Sequence, residues 1–297
     1  MIKRIIDISE QAYIHLKNRQ IIVERTGKPV DSIAVEDIGV LILQHPAIVI
    51  TQALIIACQK NNSILIFCDD RHLPYSIILP VSDGNILHNK ILKCQIELKT
   101  TARKRLWQQI VKHKINQQAN TLKLLGKNAK PIEKLVTKIK TGDQENHEGQ
   151  AAKKYWNLLM GNSFHRDTNA DGVNALLNYG YAIMRAMIAR AIVASGLHPA
   201  IGLHHHNQYN GLCLADDLME PFRPWVDHIV YQATENKTEI VLNQELKQSL
   251  LNLLSQSVNW EGRAMPLMVA CHYLMANLKR AYTDSNVRID YPILLRN

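Results

Sequence analysis

The hydrophobic period of this chain changes near residue 85, and that change limits its fold more than any other feature. Before it, apolar residues come in short runs or in alternation: Ala12–Lys17, Gln20–Arg25, Ser32–Val35, Gly39–Leu43, Ser63–Cys68 and Tyr75–Leu79. Runs of this kind, bounded by turn residues, read as strands. Asn18-Arg19 separates the first two as a hairpin turn, while Asp69-Asp70-Arg71 and Val81–Gly84 read as further turns. Thr51–Lys60 breaks the pattern with a helical spacing. After Ile86 the residues Ile91, Cys94, Leu98, Ala102, Leu106, Ile110 and Ile115 recur at intervals of three to five, the spacing of a long amphipathic helix. Further helices are expected over about 131–140, 148–160, 171–195, 214–221, 224–234, 243–255 and 262–282. The fold class this predicts is α+β: a small β-rich domain over residues 1–83, then a larger α-helical domain over 84–297. Thr283–Asn297 loses all period and reads as a frayed end or as a tail that docks on a partner.

With 46% hydrophobic and 21% charged residues, the 297-residue chain has the make-up of an ordinary globular protein. Its five cysteines (Cys58, Cys68, Cys94, Cys213, Cys271) are scattered without CxxC spacing, which argues against a disulfide scaffold or a zinc site and suits a reducing cytoplasm. The most apolar stretch, Ala47–Cys58, is too short to span a bilayer and carries Thr51 and Gln52, so no membrane association is expected. A net charge of +9 points to a polyanionic partner, of which nucleic acid is the commonest. The excess is concentrated: Lys99 to Lys140 holds twelve Lys or Arg residues, Arg103, Lys104 and Arg105 among them, against the single acid Glu133. Such a run is either a solvated helix face or a set of phosphate contacts.

Three segments of the helical half carry residues suited to chemistry. Glu148, in Asn146-His-Glu-Gly-Gln-Ala-Ala-Lys-Lys-Tyr-Trp156, stands at a helix start, where an acid is favoured in any case by the exposed amides. Gly196-Leu-His-Pro-Ala-Ile-Gly-Leu-His-His-His-Asn207 presents three consecutive histidines on a loop shaped by Gly and Pro; a neutral imidazole ligates metals or shuttles protons. In Asp216-Asp-Leu-Met-Glu-Pro-Phe-Arg-Pro224, Asp217 and Glu220 are three apart and share a helix face, although an aspartate there also serves as a cap. Two carboxylates with one neutral histidine suit a hard divalent cation, Mg2+ or Mn2+.

Together with Asn174-Ala-Leu-Leu-Asn-Tyr-Gly-Tyr181, these segments resemble, in order and spacing, the integrase of CRISPR spacer acquisition, the larger of the two universal adaptation proteins, in its type II-like form. The resemblance implies a metal held by Glu148, His205 and Glu220, with Asp217 as an additional acid; His204 and His206 flank His205 and leave the choice among the three open. It implies phosphate contacts from Lys153, Lys154, Arg185 and Arg223, hydrogen bonds from Asn174 and Asn178 near the site, and stacking on DNA by Tyr155, Tyr179 or Tyr181. It implies insertion of a short prespacer DNA into a CRISPR array by attack of a DNA 3′-hydroxyl on a phosphodiester. The implied partners are double-stranded DNA (prespacer and repeat), a second copy of the chain joined through the β domain, the smaller adaptation protein and, at type II loci, the RNA-guided effector nuclease. Two rival readings share the basic surface: a transposon-type integrase of the same fold, and a non-catalytic DNA-binding scaffold.

Overall fold

The computed structural model describes residues 3–70, 72–79, 88–235, 240 and 242–294. The expected boundary between residues 83 and 84, the Val81–Gly84 turn and Arg71 lie outside these residues. The α+β organisation is as expected, with strands before residue 79 and helices dominating after residue 88.

The N-terminal part contains β1 (Arg4–Ile8), β2 (Tyr13–Lys17), β3 (Gln20–Glu24), β4 (Asp31–Ala34), β5 (Ile38–Leu43), β6 (Val49–Ile50), α1 (Gln52–Lys60), β7 (Ile64–Cys68) and β8 (Pro74–Ile78). They form two sheets, ordered β4-β3-β2-β6 and β1-β5-β7-β8. The β2–β3 hairpin turns at Asn18 and Arg19, both with positive φ (51° and 61°), a backbone that matches the twist of the flanking strands. β1, which the alternation did not reveal, pairs parallel to β5, and β5 pairs parallel to β7. All six residues of β5 are buried, the mark of a strand covered on both faces. Val40, Ile42, Ile64 and Ile66 point into the helical core, while Leu41, Leu43 and Leu65 join Ile14, Ile21, Val23 and Leu54 in a second, smaller core. This sheet is therefore a wall common to both halves.

The helical part contains α2 (His88–Ile96), α3 (Thr100–Leu124), α4 (Lys130–Val136), α5 (His147–Met160), α6 (Val173–Ala194), α7 (Cys213–Met219), α8 (Arg223–Thr234), α9 (Gln244–Ser255) and α10 (Leu267–Thr283). α6 is buried around most of its circumference, as a central helix must be, and it packs on α7, α8, α9 and α10. Two polar contacts tie the helices to the wall: Arg190 Nε donates to the Asn62 carbonyl at 2.6 Å, and Lys247 donates to Gln44, which donates in turn to Asp7 at 2.5 Å. Among the described residues no helix is long and apolar enough to cross a membrane.

Three expectations need correction. The long helix read through Ile91–Ile115 is broken between α2 and α3, where Lys99 is extended (ψ 142°). The Arg103 guanidinium stabilises the break by donating to the carbonyls of Gln95 (2.9 Å) and Leu98 (3.2 Å), groups a continuous helix would have paired internally. The helix expected from residue 262 starts at Leu267; Ser257–Trp260 (β9) and Arg263–Pro266 (β10) form a hairpin across Glu261-Gly262, both with positive φ. The chain beyond Thr283 is neither frayed nor free through residue 294. Ile289 donates its N–H to Gln109 Oε1 at 2.8 Å, Tyr291 donates its hydroxyl to the Leu218 carbonyl at 3.2 Å, and Ile293–Leu294 (β11) pairs with β9.

Candidate active site

Glu148 begins α5, so its side chain has to be distinguished from a cap. The cap positions are already filled: Asp143 accepts from the amides of His147 (2.9 Å) and Glu148 (2.8 Å), and Asn146 accepts from Gly149 (3.0 Å). With the helix end satisfied by others, the Glu148 carboxylate reaches toward α3, where it accepts from Lys114 Nζ at 2.6 Å. Glu220 arrives from the opposite side, on the tight 3-10 turn that joins α7 to α8, and its Oε2 lies 2.6 Å from the same ammonium. One buried cation thus bridges the two carboxylates.

Arg223 completes the charge balance. Its Nε donates to Glu220 Oε1 at 2.7 Å, and its guanidinium lies 4.5 Å from the centre of the Tyr181 ring. Burial alone would raise the Glu220 pKa, but Lys114 and Arg223 outweigh it and hold the carboxyl at about 2. Burial likewise disfavours the Lys114 ammonium, yet Glu220 and Glu148 overcome that and raise its pKa. Glu220 is therefore anionic and Lys114 cationic at neutral pH.

The histidine loop is organised by Asp217, which is fully buried. Its Oδ2 accepts from the amides of Leu203 (2.6 Å) and His204 (3.0 Å), and its Oδ1 accepts from the amide of His205 (3.2 Å) and pairs with His205 Nδ1 (2.7 Å). Gly202 is needed for this approach: a Cβ there would stand 2.4 Å from the His205 carbonyl and 2.9 Å from Asp217 Oδ2. The three histidines are thereby told apart. All three are exposed, but His204 stacks on Trp107 with ring centres 4.2 Å apart and planes at 3°, and the His205 ring alone among them is paired with a carboxylate. A carboxylate on Nδ1 fixes the tautomer and orientation of a histidine that ligates through Nε2. The hydrogen bond to Asp217 raises the His205 pKa against the effect of burial, and Glu220 is near enough to raise it further.

The structure thus brings Glu148 and Glu220 together and places His205 at their margin. Among the described residues no three His, Cys, Asp or Glu side chains are drawn close enough to hold a metal ion; Lys114 fills the gap between the glutamates and Asp217 pairs with His205 Nδ1. The donor types fit a hard divalent ion: two carboxylates already converge on one cation, with an imidazole beside them. Asp217, expected as an additional acid at the metal, is engaged by the histidine loop. Both its oxygens are occupied by the loop it organises.

The basic residues also divide. Arg103, expected to meet phosphate, donates to the carbonyls of Gln95, Leu98 and Gly202 and ties the α2–α3 junction to the histidine loop. Arg185 is paired with Asp216 at 2.6 Å and with Asn210 at 2.7 Å. Arg223 is held by Glu220. All three guanidinium groups are thus paired within the chain. Arg105 is half-buried, whereas Lys104, Lys153 and Lys154 are exposed. Tyr155, Tyr179 and Tyr181 are buried and unavailable for stacking on DNA; Tyr155 and Tyr181 donate to the carboxyl of Asp227. Asn174 and Asn178 accept from Arg166 at 2.9 and 2.5 Å and brace the loop before α6. Lys114 escaped notice because it is one of twelve basic residues in its run, and no spacing marks it.

Residues 6–252 match the family model described as CRISPR associated protein Cas1. The chain belongs to this family. It is 32% identical over 278 residues to the CRISPR-associated endonuclease Cas1 of Neisseria meningitidis serogroup C (strain 8013), an alignment that covers 93% of this chain and 90% of that one. Among solved structures, a casposase bound to integration product superposes with a TM-score of 0.80 at 19% identity, over 98% of this chain and 93% of that chain. A Cas6-RT-Cas1–Cas2 complex superposes with a TM-score of 0.73 at 17% identity, over 97% of this chain and 36% of that one. The family expected from the motifs is the family found.

Asp227, beneath the Arg223–Tyr181 contact, carries a pH signature. Burial raises its pKa to about 7, although the hydroxyls of Tyr181 and Tyr155 pull the other way. Its folded pKa lies above the unfolded value, so its stabilising contribution is complete below about pH 4 and is lost as pH rises through about 7. Asp227→Asn keeps an acceptor for the tyrosines and removes the titration. Unfolding free energies measured from pH 5 to 8 are expected to fall for the wild type, with a slope of up to about 1.4 kcal/mol per pH unit beyond that of the variant. Parallel profiles would show that Asp227 does not titrate with folding.

Proposed function

We propose that the chain is a divalent-metal-dependent DNA integrase and endonuclease that inserts short prespacer DNA into a CRISPR array. The observation that carries this reading is the convergence of Glu148 and Glu220 on a single cationic position, with His205 braced beside them by a buried carboxylate. The activity named for the Neisseria relative and the integration product held by the casposase support it. Glu148, Glu220 and the Nε2 of His205 are assigned as the ligands of Mg2+ or Mn2+. When bound, the ion supplies positive charge against the scissile phosphate and acidifies the attacking hydroxyl.

The reaction exchanges one phosphodiester for another. The prespacer 3′-oxygen forms a new bond to phosphorus as the bond to the displaced 3′-oxygen breaks. The proton of the attacking hydroxyl is lost, and the displaced oxygen gains one. No protein nucleophile is required, so the chain contributes position and charge. Asp217 holds the His205 ring in one tautomer, and Arg223 keeps Glu220 anionic and oriented. The exposed Lys104, Lys153 and Lys154 bind phosphates without reading sequence.

The assembly proposed is a homodimer joined through the N-terminal β domain, in complex with the smaller adaptation protein and double-stranded DNA in the cytoplasm. The RNA-guided effector nuclease is a further partner. The Cas1–Cas2 composition of the superposed complex supports the pairing. The division at residues 83 and 84 is proposed as the limit of the dimerisation domain.

Glu148→Ala and Glu220→Ala are expected to lower Mg2+- or Mn2+-dependent strand transfer by more than about a hundredfold while DNA affinity is retained. Strand transfer at the wild-type rate in both variants would exclude the assignment. For the phosphate contacts, Lys153→Ala combined with Lys154→Ala is expected to reduce the slope of log affinity against log salt by about 2. An unchanged slope would mean that these lysines are only solvated.

A further inference from the structure

The Lys114 contact bears on how the site is loaded. Its ammonium touches Glu148 Oε1 and Glu220 Oε2 at 2.6 Å each, and its side chain is only 11% exposed. The backbone from which it extends is fixed, since Ile110, Val111 and Ile115 on the same helix are fully buried. The ammonium itself sits at the end of a flexible four-carbon stem and can be withdrawn without moving α3. Counting formal charges, Glu148 and Glu220 are balanced by Lys114 and Arg223, so the cluster is neutral as it stands. Arg223 alone already pairs Glu220 through its other oxygen, so Lys114 is not needed there as a second structural partner. What Lys114 does that Arg223 does not is bridge the two acids.

A divalent ion and an ammonium cannot occupy the same gap between two carboxylates, because like charges at contact distance in a buried site repel strongly. We propose that Lys114 is a built-in competitor of the divalent ion for Glu148 and Glu220, released when a DNA phosphate accepts its ammonium, so that metal and DNA bind cooperatively. The inference rests on Glu148 and Glu220 being metal ligands. Phosphate is the natural acceptor for a released ammonium, and the incoming DNA supplies one at this site. Because coupling between two ligands is reciprocal, metal must tighten DNA binding by the same factor. The function assigned to Lys114 is that of a positioning residue, which keeps the two acids converged until substrate arrives.

The test uses the full chain, with free Mn2+ measured by electron paramagnetic resonance for the wild type and for Lys114→Met. Each is titrated with and without a short DNA duplex, and the ion bound by the duplex alone is subtracted. For the wild type, DNA is expected to raise Mn2+ affinity by about 5- to 150-fold. Lys114→Met is expected to bind Mn2+ at least about tenfold more tightly than the wild type without DNA, and to lose most of the coupling. Equal Mn2+ affinity in wild type and variant, with equal coupling, would overturn the competition while leaving the metal ligands intact. Absence of Mn2+ binding in every arm would overturn the ligand assignment and this inference together. If the variant does not fold, the wild-type arms still decide: a Mn2+ affinity indifferent to DNA overturns the proposal.

Discussion

A buried carboxylate and a partly exposed one aimed at the same point repel, and where the surroundings are of low polarity that repulsion must be met by a cation or by neutralisation. Glu148 and Glu220 are in this position, and the protein meets the requirement with Lys114 between them and Arg223 behind one of them. Much of the helical half is arranged to hold this group. α3 delivers the lysine, the caps of α5 free the glutamate, and the 3-10 turn after α7 directs Glu220 back toward α3. The same turn leads into Arg223, so one short segment supplies both an acid and its counter-charge.

The surrounding architecture explains why such an arrangement is tolerated. Strand β5 at the centre of the β1-β5-β7-β8 sheet is covered on both faces, and Val40, Ile42, Ile64 and Ile66 extend the helical core. Trp107 is buried and stacks on His204, which holds the histidine loop against α3, while Asp217 accepts from the loop's amides. The conformation of the loop is set by a buried acceptor for its backbone amides. A carboxylate that accepts three amides and an imidazole is costly to remove, since each donor is left unpaired.

Much of this was legible in the residues. The change of period located the strand-rich and helical parts, and Asn18-Arg19 marked a hairpin whose positive φ angles the structure shows. Glu148 and Glu220 are paired by the family resemblance, and both converge on Lys114. The remainder depended on contacts distant in sequence. Whether Glu148 was a cap could be decided only by finding Asp143 in that role, and Asp217 looked like Glu220 until its hydrogen bonds were seen. Arg103 belongs to a basic run and has the composition of a phosphate contact, yet it donates to carbonyls as far away as Gly202. β10 was hidden because Arg263–Pro266 continues a helical apolar spacing, and the Glu261-Gly262 turn overrides it. In each case the local pattern was real, and a tertiary partner determined its meaning.

Glu148, Glu220 and His205 are proposed to form one cation site. This is tested most directly by anomalous diffraction at the manganese edge from crystals of the chain with bound DNA and Mn2+. A single strong peak per chain is expected in contact with both glutamate carboxylates and His205 Nε2, with Lys114 withdrawn toward a phosphate. A peak held by other residues, or none beside these glutamates while Lys114 still bridges them, would contradict it.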